Sequence, residues 1–194
     1  MSYFTESFDE KVVELLNGGG VGFMPSDTVY GLSARALDKV AVEKIYHLKQ
    51  RDDGKPCIVL LSSVDQATQL MIDPKDLEPV ATYWPAPLTL IAPAENSPEY
   101  LHRGLESLAV RVPDSEDLRG LIAITGPLVS TSANIQDQPI ARTPQQAQEV
   151  FGDYLDFYID AGELSGEPST VLKFADGRLQ IVRPGAWQMP PQPL

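Results

Sequence analysis

The chain has 194 residues, 43% of them hydrophobic and 22% charged, a composition that excludes disorder, collagen-like repeats and a disulfide-bound miniature scaffold. Fifteen Lys and Arg against 27 Asp and Glu leave a net charge of −12, so the average surface field repels polyanions and disfavours a broad electrostatic grip on nucleic acid. A single cysteine, Cys57, excludes an internal disulfide. The N-terminal MSYFTESFDEK lacks a secretory pattern, and no run approaches the ~18–20 apolar residues of a spanning helix, so a soluble, cytoplasmic protein is expected.

In chain order, Val12, Leu15 and Leu16 lie at helical spacing after Phe8, and Gly18-Gly19-Gly20 supplies the stop. Val21 to Met24 reads as a short strand. Asp38 is placed to cap a second helix in which Ala41, Ile45 and Leu48 share a face, ending near Lys49, Gln50 and Arg51. Cys57 to Leu61 reads as a buried strand. Ser63 with Gln66 has capping-box spacing and Asp73 precedes Pro74, which predicts two short helices over 64–83. Strands follow at 88–92 and 108–112, then a helix capped by Asp114 and running through Ile124, and a strand at 128–131. Thr143, Pro144 and Gln146 form the clearest helix start. Strands are predicted at 157–160 and 170–174, and Asp176-Gly177 predicts a terminal hairpin before a frayed MPPQPL tail. Helices and strands alternate without a repeat or composition break. The expected fold is α/β: a single domain over 1–194, core about 8–187, with a twisted, largely mixed sheet flanked by helices.

Several familiar chemistries have no foothold. Walker, GxSxG and CxxC sequences are absent, and Gly18-Gly19-Gly20-Val21-Gly22 precedes a strand, which suits a helix stop and not a dinucleotide loop. His47 and His102 lack a third ligand at metal spacing, and Cys57 reads as a buried, inert thiol. What remains are hydroxyls and isolated cations at element ends. Pro25 to Gly31 places two hydroxyls, a carboxylate and a phenol on one loop, where turn chemistry and binding are both served. Lys49, Arg51 and Lys55 are three cations within seven residues; the helix macrodipole would attract them, and so would an anionic ligand. Ser130-Thr131-Ser132-Ala133-Asn134 closes a strand with donors suited to phosphate or to an ST-turn. Arg111, inside a strand, must reach solvent or meet an anion, and Ser169-Thr170 and Arg183-Pro184-Gly185 add donors.

These segments, in this order, resemble the YrdC/TsaC family from about Val12 to Trp187. PSDTVYGL is similar to the family's PTDTVYGL, KQRDDGKP to its KxR and KP element, and WPAPLTL to WPGPLTL. LAVRVPD resembles VAVRVP, STSAN the SAN motif, EPSTVL the STVV segment, and IVRPG the ILRPG ending. The resemblance implies a short, single-domain L-threonylcarbamoyladenylate synthase. Such an enzyme is a nucleotidyltransferase that makes threonylcarbamoyl-AMP and pyrophosphate from L-threonine, bicarbonate and ATP for threonylcarbamoyl adenosine in tRNA. Carried onto this chain, it implies catalytic and phosphate-facing roles for Lys49 and Arg51. It implies threonine and bicarbonate contacts for Ser26, Tyr30, Arg111, Ser130 and Ser169, and ATP contacts for Thr89, Ser132, Asn134 and Arg183, with Mg²⁺ accompanying ATP and no protein metal ligands. A downstream threonylcarbamoyl-transfer complex acting on tRNA is the implied partner, with weak or no direct tRNA binding and no membrane. The alternative is a non-catalytic paralogue of the same fold that binds nucleotide or RNA. Ser26 for threonine, Ala86 for glycine and Gln136-Asp137-Gln138 after the SAN motif depart from the family pattern.

Overall fold

The computed structural model describes residues 1–50 and 54–190. Arg51 and the last four residues of the MPPQPL tail therefore lie outside the described residues. Among the described residues, ten strands form one mixed sheet: β1 Tyr3–Thr5, β2 Gly22–Met24, β3 Gly31–Arg35, β4 Ile58–Leu60, β5 Leu88–Pro93, β6 Ser107–Arg111, β7 Leu128–Ser132, β8 Phe157–Ile159, β9 Thr170–Ala175 and β10 Arg178–Arg183. Their spatial order is β1-β8-β2-β3-β7-β4-β6-β5-β9-β10, with parallel pairs β1/β8, β2/β8, β4/β6 and β5/β9 and the other neighbours antiparallel. The α-helices are α1 Glu10–Asn17, α2 Lys39–Lys49, α3 Glu78–Ala81, α4 Glu99–His102, α5 Glu116–Thr125 and α6 Pro144–Phe151.

Local chemistry explains most of these limits. Asp9 accepts the Val12 N–H at 3.0 Å and Asp38 the Ala41 N–H at 3.0 Å, so two carboxylates cap α1 and α2, each stabilising its helix by about 1 kcal/mol. The stop after α1 is built as expected. Gly19 takes φ +83°, and a Cβ on Gly20 would stand 2.7 Å from the Leu15 carbonyl oxygen. Asp176 and Gly177, at φ 53° and 72°, make the tight turn between β9 and β10.

Three expectations need correction. The helix after β6 is capped by Ser115, whose hydroxyl accepts the Leu118 N–H, while the Asp114 backbone N–H turns to Asp27. Residues 64–83 form two 3₁₀ segments, Val64–Leu70 and Pro74–Leu77, followed by α3. There Gln66 accepts the Ser62 N–H instead of closing a box with Ser63. Strands β1 and β3 were not expected, because their short sequences YFT and GLSAR carry too little alternation to show against flanking turns.

Side-chain alternation divides the core between the sheet faces. Phe23, Val59 and Val129 point to a large cluster beneath α2, α6 and the 3₁₀ segments, whereas Met24, Leu60 and Leu128 point to a smaller one under α1 and α5. On that second face, Ile58, Ala109 and Ser130 stand abreast on β4, β6 and β7 and line a cavity.

Candidate functional site

The cavity on this face has a volume of about 370 Å³. Its floor is the strand row just named together with Leu60, Arg111 and Ser132, its rim is the loop between β2 and β3, and its far wall is Pro168, Ser169 and Arg183. Of the residues singled out in the sequence, Ser26, Tyr30, Arg111, Ser130, Ser132, Ser169 and Arg183 line it together. Gly31 permits the close approach of β3 to β7 here, since a Cβ on it would meet the Ser130 hydroxyl and the Thr131 carbonyl, each at 2.9 Å.

The rim loop is held by its own hydroxyls. Ser26 Oγ donates to the Val29 carbonyl at 2.7 Å, lies 3.0 Å from Thr28 Oγ1, and accepts the Thr28 and Val29 N–H groups. Tyr30 presents its buried ring to the cavity, but its phenol donates to Gly162 O at 2.8 Å and accepts the Ala161 N–H at 2.7 Å. That hydroxyl fastens the 160–162 turn.

Arg111 meets its anion within the protein. Its Nη2 pairs with Asp27 Oδ1, the two side chains being only 4% and 5% exposed, and Nη1 donates to Thr28 Oγ1 at 3.2 Å. Its buried Nε has no hydrogen-bond partner among the described residues. Arg183 donates to Ser169 O at 2.9 Å, and its pKa is lowered first by burial and then by the charge of Arg111. Two guanidiniums thus line the cavity, and Asp27 is paired with the first of them. Asp27 was not among the selected residues, although a strand-interior arginine with a carboxylate on the preceding loop is a signal for such a pair.

Lys49, Thr89 and Asn134 stand behind the walls. Lys49 is 2% exposed, and its ammonium donates to Asn134 O at 2.7 Å, to Asn134 Oδ1 at 3.0 Å and to Ser132 O. The Lys49 carbonyl accepts the Gln136 N–H at 2.9 Å, so the end of α2 and the STSAN turn are laced together. Thr89, fully buried, shares a hydrogen bond of 2.9 Å with Ser169 Oγ.

A second cavity of about 1140 Å³ adjoins the first, with Val29, Ile140 and Pro168 common to both. It is walled by residues 138–142, by Gln146 and Val150 of α6, and by residues 163–166. Sequence reasoning missed this wall. Its charged members, Arg142, Glu149 and Glu163, form no motif in the sequence, and the wall forms where Leu164 N–H donates to Arg142 O at 3.2 Å and two distant loops meet. A Cβ on Gly166 would lie 2.3 Å from the Thr28 carbonyl, so only glycine lets this loop lie against the rim. Among the described residues, no group of three or more His, Cys, Asp or Glu side chains could hold a metal ion. No helix among them is long and apolar enough to cross a membrane.

Residues 14–185 match the Sua5/YciO/YrdC family model, described as "Telomere recombination". The chain belongs to this family. It is 36% identical over 166 residues to the threonylcarbamoyl-AMP synthase of Pyrococcus abyssi, covering 83% of this chain and 49% of that protein. It is also 36% identical over 171 residues to the threonylcarbamoyl-AMP synthase of Pseudomonas aeruginosa strain UCBPP-PA14, covering 86% and 91%. The chain thus spans about half the length of the first relative and most of the second. Among solved structures, P. abyssi Sua5 complexed with L-threonine superposes with a TM-score of 0.83 at 32% identity, covering 95% of this chain and 57% of that one. Escherichia coli YciO, at 23% identity, shares the fold with a TM-score of 0.82 over 97% of this chain and 98% of its own.

Proposed function

We propose that this member of the family is a threonylcarbamoyl-AMP synthase, a nucleotidyltransferase acting on L-threonine, bicarbonate and ATP. The observation that carries the reading is the pair of contiguous cavities, the smaller lined by the buried Arg111, the exposed Arg183 and a row of hydroxyls, the larger roomy enough for a nucleoside. In this reading the threonine carboxylate enters the smaller cavity toward Arg111 and Arg183, with Ser26, Ser130 and Ser169 offering hydroxyls. The relatives' names and the threonine complex of the P. abyssi protein support the assignment.

The reaction condenses the threonine amine with bicarbonate, losing water, to give a carbamate. A carbamate oxygen then attacks the α-phosphorus of ATP, its P–O bond to the β-phosphate breaks, and pyrophosphate leaves. The obstacle is the approach of two anions and the lability of the carbamate in water, so fixed positive charge and an enclosed cavity are the needed devices. Lys49 donates to the Ser132 and Asn134 carbonyls beneath the STSAN turn, and Ser132 faces the cavity from that turn. Arg51 is carried as a phosphate-facing cation on the family motif alone. Mg²⁺ would enter on the nucleotide phosphates and screen their charge; no group of three or more His, Cys, Asp or Glu side chains stands ready to hold it among the described residues.

The expected partners beyond the substrates are a threonylcarbamoyl-transfer complex acting on tRNA. Direct tRNA binding is expected to be weak for a chain of net charge −12. The test is pyrophosphate release with threonine, bicarbonate or ATP omitted in turn. Release that requires all three supports the reading. ATP binding without release would instead identify a non-catalytic paralogue.

A further inference from the structure

Tyr46 lies on α2 one turn before Lys49 and is 4% exposed. A buried apolar ring would fill the same space, yet this residue carries a hydroxyl, and the hydroxyl is used twice. It donates to the Lys55 carbonyl at 3.0 Å and accepts the Cys57 N–H at 3.1 Å. The phenol therefore bridges the helix to the chain where it re-enters the sheet at β4. Between these two tied residues is Pro56, which lines the smaller cavity beside Ile58.

The ring is itself held from above. The Arg103 guanidinium stacks 3.8 Å from its centroid and forms an ion pair with Glu43, which lies one turn earlier on the same helix face. Burial pushes the Tyr46 phenol up to about 12, so it stays protonated and able to donate at neutral pH.

We propose that Tyr46, locked by Arg103 and Glu43, is a positioning residue for the synthase site: by holding Lys55 and Cys57, its phenol sets where Pro56 stands against the cavity. The inference rests on the functional reading above. The bridge fixes Pro56 against the smaller cavity, where the threonine carboxylate is placed, so loosening it should impair threonine use more than ATP use.

The test compares Tyr46→Phe with Tyr158→Phe. The second variant loses a comparable buried phenol bond, to Gly152 O at 2.7 Å, away from both cavities. Two readouts are taken well below melting. One is kcat/KM for ATP and for threonine; the other is the rate at which a dithionitrobenzoate reagent labels the buried thiol of Cys57, the single cysteine of the chain. The expectation for Tyr46→Phe is labelling faster by about tenfold or more and kcat/KM for threonine reduced by about tenfold, with KM for ATP within about twofold. Tyr158→Phe should change neither readout. Unaccelerated labelling, or accelerated labelling with unaltered threonine kinetics, overturns the proposal and leaves Tyr46 as packing. Wild-type protein that releases no pyrophosphate overturns the functional reading alone, and the bridge is then judged by Cys57 labelling and by calorimetric threonine affinity in the same two variants.

Discussion

Asp27→Ala removes the carboxylate paired with the buried Arg111 guanidinium. Arg111 is 3% exposed and Nη2 faces only Asp27, so the truncation leaves a buried cation balanced by one neutral hydroxyl at 3.2 Å. The Asp114 N–H also loses its acceptor at 2.8 Å. Breaking one partner of a buried pair costs ~3–5 kcal/mol. For a domain of this size that corresponds to a fall in melting temperature of ~6–20 °C. The double variant Asp27→Ala with Arg111→Leu should recover a large part of the loss, because it leaves no buried charge to solvate. Threonine should raise the melting temperature of Asp27→Ala by more than that of the wild type, since its carboxylate would replace the missing anion. Thermal melts of the three proteins with and without threonine measure this. A fall of less than ~2 °C in the single variant, or a double variant less stable than the single, would refute the argument that Asp27 compensates Arg111.

Other outcomes follow from the same geometry. Lys49→Met removes the donor to the Ser132 and Asn134 carbonyls and should cost at least ~2 kcal/mol in denaturant titrations while lowering pyrophosphate release at least ~10²-fold; activity near wild type in the folded variant would return Lys49 to a purely structural role. Ser26→Ala breaks the hydroxyl bond to Val29 and should weaken threonine binding by ~1–3 kcal/mol by calorimetry with ATP affinity unchanged, whereas Ser26→Thr should change it by less than ~1 kcal/mol. The phenols of Tyr46 and Tyr158 are both pushed from 10.0 up to about 12, mainly by burial. The unfolded chain then loses these protons first, so their contribution is complete below pH 10 and is lost as pH rises toward 12. Melting temperature should fall over that window, and less steeply in the Tyr46→Phe, Tyr158→Phe double variant.

The sequence by itself determined the local devices. Asp38 before Ala41, Thr143 before Gln146 and Asp176-Gly177 each act within a few residues, and each forms the cap or turn its chemistry calls for. The hydroxyls and arginines of the smaller cavity were legible too, because polar residues at strand ends have few other uses there. Tertiary structure alone decided what those residues face. Arg111 finds Asp27, the Tyr30 phenol is taken by a turn more than a hundred residues away, and Lys49 turns inward to a loop 83 residues distant. It also created β1 and β3, short segments whose ladders are supplied by β8 in one case and by β2 and β7 in the other. Periodicity and capping are properties of neighbouring residues, whereas a buried charge or hydroxyl is satisfied by whichever group the sheet order brings within reach, and that order is set by the packing of the whole chain.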